Sequence, residues 1–223
     1  TPKEKFRANI MAIQLLKKCE EENRNATPDE QEILSRYVGW GGLADAFDET
    51  KSAWETEYLE LKTVLTPEEY AAARASTLNA HYTQPIVIES MYQALENLGF
   101  TKGNILEPSM GVGNFFGMLP EKLNQSKLYG VELDSISGRI AKLLYPDANI
   151  QIKGFEKTDY PNDFFDVAIG NVPFGAYKVN DRQYDRYNFM IHDYFLAKTI
   201  DQLRPGGVAA LITTKGTMDK ASP

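Results

Sequence analysis

The feature that most constrains this chain is an alternation of short apolar strands with helical stretches from residue 104 onward. Strands are predicted at 104–107, 128–132, 149–152, 166–169 and 208–213, and helices at 114–123, 136–144 and 189–203. A strand that is followed by a helix and then by another strand can return only by a crossover. Repetition of that unit builds a parallel sheet with helices on both faces. Ligands of such sheets sit at the carboxyl ends of the strands.

Residues 1–80 carry a different pattern. Phe6, Ile10, Ile13 and Leu16 recur every three or four positions and give a helical apolar stripe. Thr27-Pro28-Asp29-Glu30 and Thr66-Pro67-Glu68-Glu69 are helix starts. In each the Thr caps, the Pro suits the first turn, and the Glu closes a capping box. The helix from Thr27 is predicted to run to about Tyr37, where Gly39-Trp40-Gly41-Gly42 breaks it. Trp40 reads as a core plug, with an interface anchor as the alternative. The organisation expected is a helical N-terminal extension over 1–80 and an α/β domain over 81–223.

Composition narrows the function. The 31 acidic residues outnumber the 24 basic ones, and the net charge of −7 argues against a chain whose main task is to coat a phosphate backbone. One cysteine, Cys19, and two histidines, His81 and His192, leave no material for a disulfide scaffold or a Cys/His metal site. No run approaches the roughly 18 apolar residues of a membrane helix, and the first residues show no apolar signal core. The expectation is a cytoplasmic chain with no membrane and no metal.

The chemistry-bearing residues lie at the predicted strand ends. Glu107-Pro108-Ser109-Met110-Gly111-Val112-Gly113-Asn114 follows a strand and opens a helix, so Gly111 and Gly113 let the backbone turn and approach a ligand; a plain structural turn is the other reading. Glu132, 19 residues after Gly113, stands where a carboxylate accepts hydrogen bonds from ribose hydroxyls. Asp134 reads as the cap of the next helix. A dinucleotide site needs a third glycine at position 116, which is Phe here. The acidic Glu107 repels a pyrophosphate and suits a cation. Both points favour S-adenosylmethionine, whose sulfonium and amino groups are positive.

Ile169-Gly170-Asn171-Val172-Pro173-Phe174-Gly175 ends a later strand. It resembles the Asn-Pro-Pro-Tyr/Phe signature of methyltransferases that act on exocyclic amino groups. In that signature the Asn side-chain oxygen and the next carbonyl accept the two amino hydrogens. The aromatic ring then stacks on a base taken out of the duplex. The resemblance assigns the acceptor roles to Asn171 and the carbonyl of Val172, and the stacking role to Phe174 after Pro173. His81-Tyr82-Thr83-Gln84-Pro85 is similar to the aromatic-x-Thr-Pro segment that folds over the cofactor's methionine end, and Thr83 also reads as a helix cap. Phe155 stands where this class stacks an aromatic on the cofactor adenine. Arg204-Pro205-Gly206-Gly207 is similar to the basic Pro-Gly-Gly hairpin before the fifth strand.

The ordered set resembles an adenine-specific (N-6) DNA methyltransferase. Ala26–Gln31, Tyr37–Gly42, Gly170–Gly175 and Ile191–Phe195 further resemble large bacterial methylase–helicase fusion proteins of mobile elements. The resemblance implies a three-layer Rossmann-like α/β fold of strand order 3-2-1-4-5, truncated after its fifth strand. It implies S-adenosylmethionine held by Tyr82, Thr83, Glu107, Ser109, Met110, Gly111, Gly113, Glu132, Leu133, Phe155 and Asn171, with catalysis by Asn171, Val172, Pro173 and Phe174. DNA and a helicase region of the same polypeptide are the implied partners. Val172 departs from the signature's first proline, which loosens the rigid turn. The alternatives are a non-catalytic cofactor- or partner-binding module of the same fold, or an RNA or protein amino-group methyltransferase. Tyr177, Tyr184 and Tyr187 with Lys178, Arg182 and Arg186 form an aromatic-basic loop that grips nucleic acid or serves as a solvated lid, with Asp181 and Asp185 weighing against the grip.

Overall fold

The computed structural model describes residues 1–77 and 83–219. Along the chain run α1 (Pro2–Glu21), α2 (Pro28–Leu34), α3 (Glu55–Val64), α4 (Pro67–Ser76), α5 (Pro85–Asn97), β1 (Asn104–Glu107) and α6 (Asn114–Gly117). There follow β2 (Lys127–Glu132), α7 (Ser135–Leu144), β3 (Asn149–Ile152), β4 (Phe165–Asn171), α8 (Ile191–Gln202) and β5 (Leu203–Ile212). The described residues fall into two compact units. The first comprises those before Thr83 together with Asp134–Pro146. The second comprises Thr83–Leu133 and those from Asp147 on.

The first unit is helical. Its two predicted capping boxes form. Thr27 and Glu30 bond reciprocally at the start of α2, and Thr66 and Glu69 do so at the start of α4. Glu69 does more than cap. Its carboxylate takes Lys17 Nζ from α1 at 2.8 Å and Arg139 Nη1 from α7 at 2.6 Å. Burial opposes its ionisation, but the hydrogen bonds from Lys17, the Thr66 N–H and Arg139 outweigh it and hold the group down at about 2. Arg139 also pairs with Glu20 of α1, and Gln31 of α2 donates to the Leu143 carbonyl at 2.9 Å. So α7, which the strand–helix alternation places with the sheet, is bound into the helical unit. Trp40 is buried as a core plug among Phe6, Tyr37 and Phe47. Asn9 clamps its turn by donating to Gly39 O at 2.7 Å and accepting from Val38 N–H at 3.0 Å. The helix from Thr27 stops at Leu34, three residues early, because Arg36 and Tyr37 bond back to Ile33 and Leu34 in tight turns.

The second unit is a five-stranded, wholly parallel sheet of order β3-β2-β1-β4-β5, the order expected. Alternate residues of the central strands face opposite ways. Ile105, Val167 and Ile169 pack with Ile88, Tyr92 and Leu95 of α5. Leu106 and Ala168 pack with Ile191, Tyr194 and Phe195 of α8. That gives three layers.

Two elements differ from expectation. The helix predicted over 114–123 is a single turn, α6, followed by a short 3₁₀ turn at Glu121–Leu123. Pro120 lies between them and has no N–H to carry the helix through. The Arg204–Gly207 segment is a bulge within β5 rather than a hairpin before it. Leu203 pairs with Phe165, yet Val208 pairs with Val167. A Cβ on Gly207 would lie 2.9 Å from the Arg204 carbonyl, so only glycine fits this close backbone approach.

Candidate active site

In order 3-2-1-4-5 the chain's direction of winding reverses between β1 and β4, and the crevice at their carboxyl ends is where open α/β sheets bind ligands. Glu107 ends β1, Glu132 ends β2 and Asn171 ends β4. Three polar side chains thus come to one end of the sheet from three different strands.

The turn after β1 is built as its glycines require. Gly111 and Gly113 have φ of +56° and +85°, a region that side-chain-bearing residues rarely adopt. The Gly111 N–H donates to Glu132 Oε2 at 2.7 Å, so the turn and the proposed ribose acceptor meet directly. Ser109 is half-buried beside them, and Leu133 is exposed. Met110 points inward instead. It is buried against β2, where a Cβ on Gly130 would lie 2.2 Å from its sulfur. Asp134 caps α7 as expected, accepting from Ser137 N–H at 2.8 Å.

Glu107 is 2% exposed, and its Oε2 has no hydrogen-bond partner among the described residues. Burial raises its carboxyl well above the ordinary carboxylate range, and the charge of Glu132 raises it further. Gly170 of β4 makes room for it, since a Cβ there would stand 3.3 Å from Glu107 Cγ.

Asn171 splits its amide between two tasks. Nδ2 donates to Thr83 Oγ1 at 3.2 Å, while Oδ1 is buried with no partner among the described residues. Buried polar atoms are paired in the great majority of cases, so an orphaned acceptor at a strand end is available to a ligand. Thr83 is not the helix cap. Gln84 holds that position, with Pro85 in the first turn of α5. Val172 does not loosen the turn: its N–H donates to Ile212 O at 3.1 Å, extending the β4–β5 ladder with a bond that a proline cannot make. Pro173 and Phe174 are half-buried at the mouth of the following loop. Phe155, by contrast, is 2% exposed and packs into the core against Phe195, ring centroids 4.9 Å apart. Tyr82 lies outside the described residues.

One cluster escaped the sequence. Lys198 of α8 is buried, with Nζ donating to Phe155 O at 2.9 Å and to Asp181 Oδ2 at 3.1 Å. Tyr194, one turn earlier on α8, donates to the same Asp181 oxygen at 2.7 Å. A Tyr and a Lys four residues apart on the apolar face of a helix were the available signal.

The residues present fit S-adenosylmethionine. The glycine turn offers an open cradle, with nothing within 4 Å of a Cβ placed on Gly111, and the half-buried Glu132 beside it is an acceptor for ribose hydroxyls. Among the described residues no cluster of His, Cys, Asp and Glu could hold a metal, and no helix is long and apolar enough to cross a membrane.

Comparison with solved structures agrees with this fold. The type I restriction-modification methyltransferase subunit of Streptococcus thermophilus superposes with a TM-score of 0.53 at 14% identity, covering 96% of this chain and 57% of that one. A Listeria monocytogenes protein described as a class I S-adenosylmethionine-dependent methyltransferase superposes at 0.50 and 14%, covering 96% and 76%. The chain therefore has the Rossmann-like fold of S-adenosylmethionine-dependent methyltransferases, with a helical N-terminal region. In sequence it is 30% identical over 215 residues to the defense against restriction protein B of Escherichia phage P1. That match covers 92% of this chain and only 8% of the much longer phage protein. No protein-family profile matches.

Proposed function

We propose that this chain transfers a methyl group from S-adenosylmethionine to the exocyclic amino group of adenine in DNA, as one region of a larger methylase–helicase protein of a mobile element. The observation that carries the reading is the divided amide of Asn171, its nitrogen tied to Thr83 and its buried oxygen free. When bound, the cofactor supplies a methyl group on a positively charged sulfur. Asn171 Oδ1 accepts one amino hydrogen and the Val172 carbonyl the other. The nitrogen lone pair is thereby freed from the ring and directed at the methyl carbon. Transfer would exchange the cofactor's carbon–sulfur bond for a nitrogen–carbon bond, with the sulfur keeping the bonding pair, and the methylated amino group would release its surplus proton to water. Phe174 holds the base by stacking, while Glu132 and the Gly111–Gly113 turn hold the nucleoside end of the cofactor. Positioning carries the catalysis, and no metal takes part. The phage relative supports the mobile-element setting, and the restriction-system methyltransferase supports the fold.

Calorimetric titration of S-adenosylmethionine, followed by transfer of labelled methyl to adenine-containing DNA, tests the reading. The parent chain binds and transfers, Asn171→Ala binds without transferring, and Glu132→Ala loses binding. Binding without transfer in the parent, in this chain and in the longer protein alike, would instead support a non-catalytic module of the same fold.

A further inference from the structure

The loop between β4 and α8 carries both acids and bases, and the structure sorts them. Asp181 is turned inward, where its carboxylate accepts from Tyr194, Lys198 and the Gln183 N–H. Asp185 is occupied with the Asp181 N–H at 2.8 Å. Tyr184 is buried and donates to Asp201 at 2.8 Å, and Ile191 N–H closes the base of the loop on Tyr177 O at 2.9 Å. The segment is thus pinned at its base and centre and is not a solvated lid.

What the pins leave outside is basic and aromatic. Arg182 is exposed and makes no hydrogen bond or ion pair among the described residues. The Arg186 guanidinium lies 4.6 Å over the Tyr187 ring, which in turn stacks on Phe189 at 5.2 Å and 16°. Asn188 between the two rings takes φ +55°, a left-handed turn that brings residues 187 and 189 to the same side. Tyr187 remains 51% exposed and Tyr177 48%. Exposed rings interleaved with guanidinium groups match the two chemistries of an unpaired nucleic-acid strand, whose bases stack and whose phosphates pair with cations.

We infer that this loop is the contact surface for an unpaired nucleic-acid strand, through Arg182, Arg186 and Tyr187. The inference rests on the proposed amino-group reading of Asn171. The loop follows directly on Asn171, the last residue of β4, and a base whose amino group reaches a buried acceptor must have left its stack. The strand on either side of that base is therefore unpaired where it meets the loop. An acidic peptide would satisfy the arginines but would leave the stacked rings without a role.

The test is fluorescence anisotropy of a labelled single-stranded oligonucleotide with the full chain, across a salt series, with cofactor affinity measured on the same preparations. Arg182→Glu/Arg186→Glu is expected to weaken strand binding at least tenfold and to flatten its salt dependence. Tyr187→Ala is expected to weaken it several-fold with the salt slope unchanged. A control of equal charge change on exposed residues elsewhere in the same unit, Lys102→Glu/Lys127→Glu, should leave binding within about twofold of the parent. Overlapping circular dichroism melts would show that the loop variants remain folded. Strand binding that survives both loop changes overturns the inference. So does binding that falls equally in the control, or a parent that binds no strand. Loop-dependent strand binding by a chain that takes up no cofactor would overturn the methyl-transfer reading and leave the surface standing.

Discussion

Thr83 decides which way Asn171 faces. A carboxamide can turn either its oxygen or its nitrogen toward a target, and only the oxygen accepts an amino hydrogen. By accepting from Nδ2, the Thr83 hydroxyl holds Oδ1 in the orientation that the proposed reaction needs. Thr83→Val keeps the shape and removes the acceptor. It is expected to lower kcat about tenfold, the equivalent of one net hydrogen bond of 1–1.5 kcal/mol. Cofactor affinity should not change, and Thr83→Ser should recover most of the rate. Equal losses in Val and Ser would point to packing instead. Glu107 gives a second expectation at this scale. Its native carboxyl titrates well above the ordinary range, so over an interval of pH the folded chain keeps a proton that the unfolded chain has released. Stability is therefore full below the ordinary carboxylate range and falls as pH rises toward the raised native value. Glu107→Gln holds the neutral form at every pH. Its urea stability should vary less than the parent's as pH rises above the ordinary carboxylate range, and parallel profiles would contradict this. The identities of Glu107, Gly111, Glu132 and Asn171 could be read from local motifs. The Thr83–Asn171 bond joins positions 88 residues apart, which no local pattern encodes. Phe155 shows the same limit: its place after β3 was legible, but the direction of its ring depends on α8, which lies much further along the chain.

Elements were legible where one residue type forces the backbone. The capping boxes at Thr27 and Thr66 are local chemistry and form as read. Strands β1 and β3 fall where their apolar runs place them. The bulge in β5 was not legible, because Pro-Gly-Gly marks a break without saying whether the strand resumes on the same partner. Nor was the tether of the β4–α8 loop, since its members are spread over Phe155, Asp181, Tyr194 and Lys198. That tether carries a prediction for the element as a whole. Asp181→Ala leaves Lys198 buried with its charge unbalanced, an effect of about 3 kcal/mol or more. Chemical unfolding should show that loss. Limited proteolysis should show early cutting between Lys178 and Arg186, where the parent resists. Lys198→Met/Asp181→Ala removes both charges together and should recover a large part of the stability while the loop stays open to protease. A double variant no more stable than Asp181→Ala alone would mean that the pair contributes nothing through charge balance.

At the scale of the whole molecule, the α/β domain expected over 81–223 does not coincide with a compact unit. The sheet topology was readable because βαβ crossovers leave few choices, but nothing in the pattern of α7 says which helices pack on it. In the structure α7 belongs with the N-terminal helices, through Arg139 to Glu20 and Glu69 and through Gln31 to its final carbonyls. It also begins three residues after Glu132, the carboxylate that meets the glycine turn. Removing residues 1–80 therefore takes away the partners of a helix that directly follows a site residue. The chain 81–223 is expected to unfold less cooperatively than the parent and to show faster amide exchange in α7. Arg139→Ala in the full chain is the milder form of the same change. Loss of its hydrogen bonds to two carboxylates should cost about 2 kcal/mol at neutral pH. The contribution that passes through Glu69 has a definite pH course, because that carboxyl is held down at about 2. It is present above the ordinary carboxylate range and disappears as pH falls toward about 2, so parent and variant stabilities should converge on acidification. A segment 81–223 that melts cooperatively, with α7 protected, would show that the sheet supports this helix unaided. The N-terminal helices would then be an attachment and not a structural part of the domain.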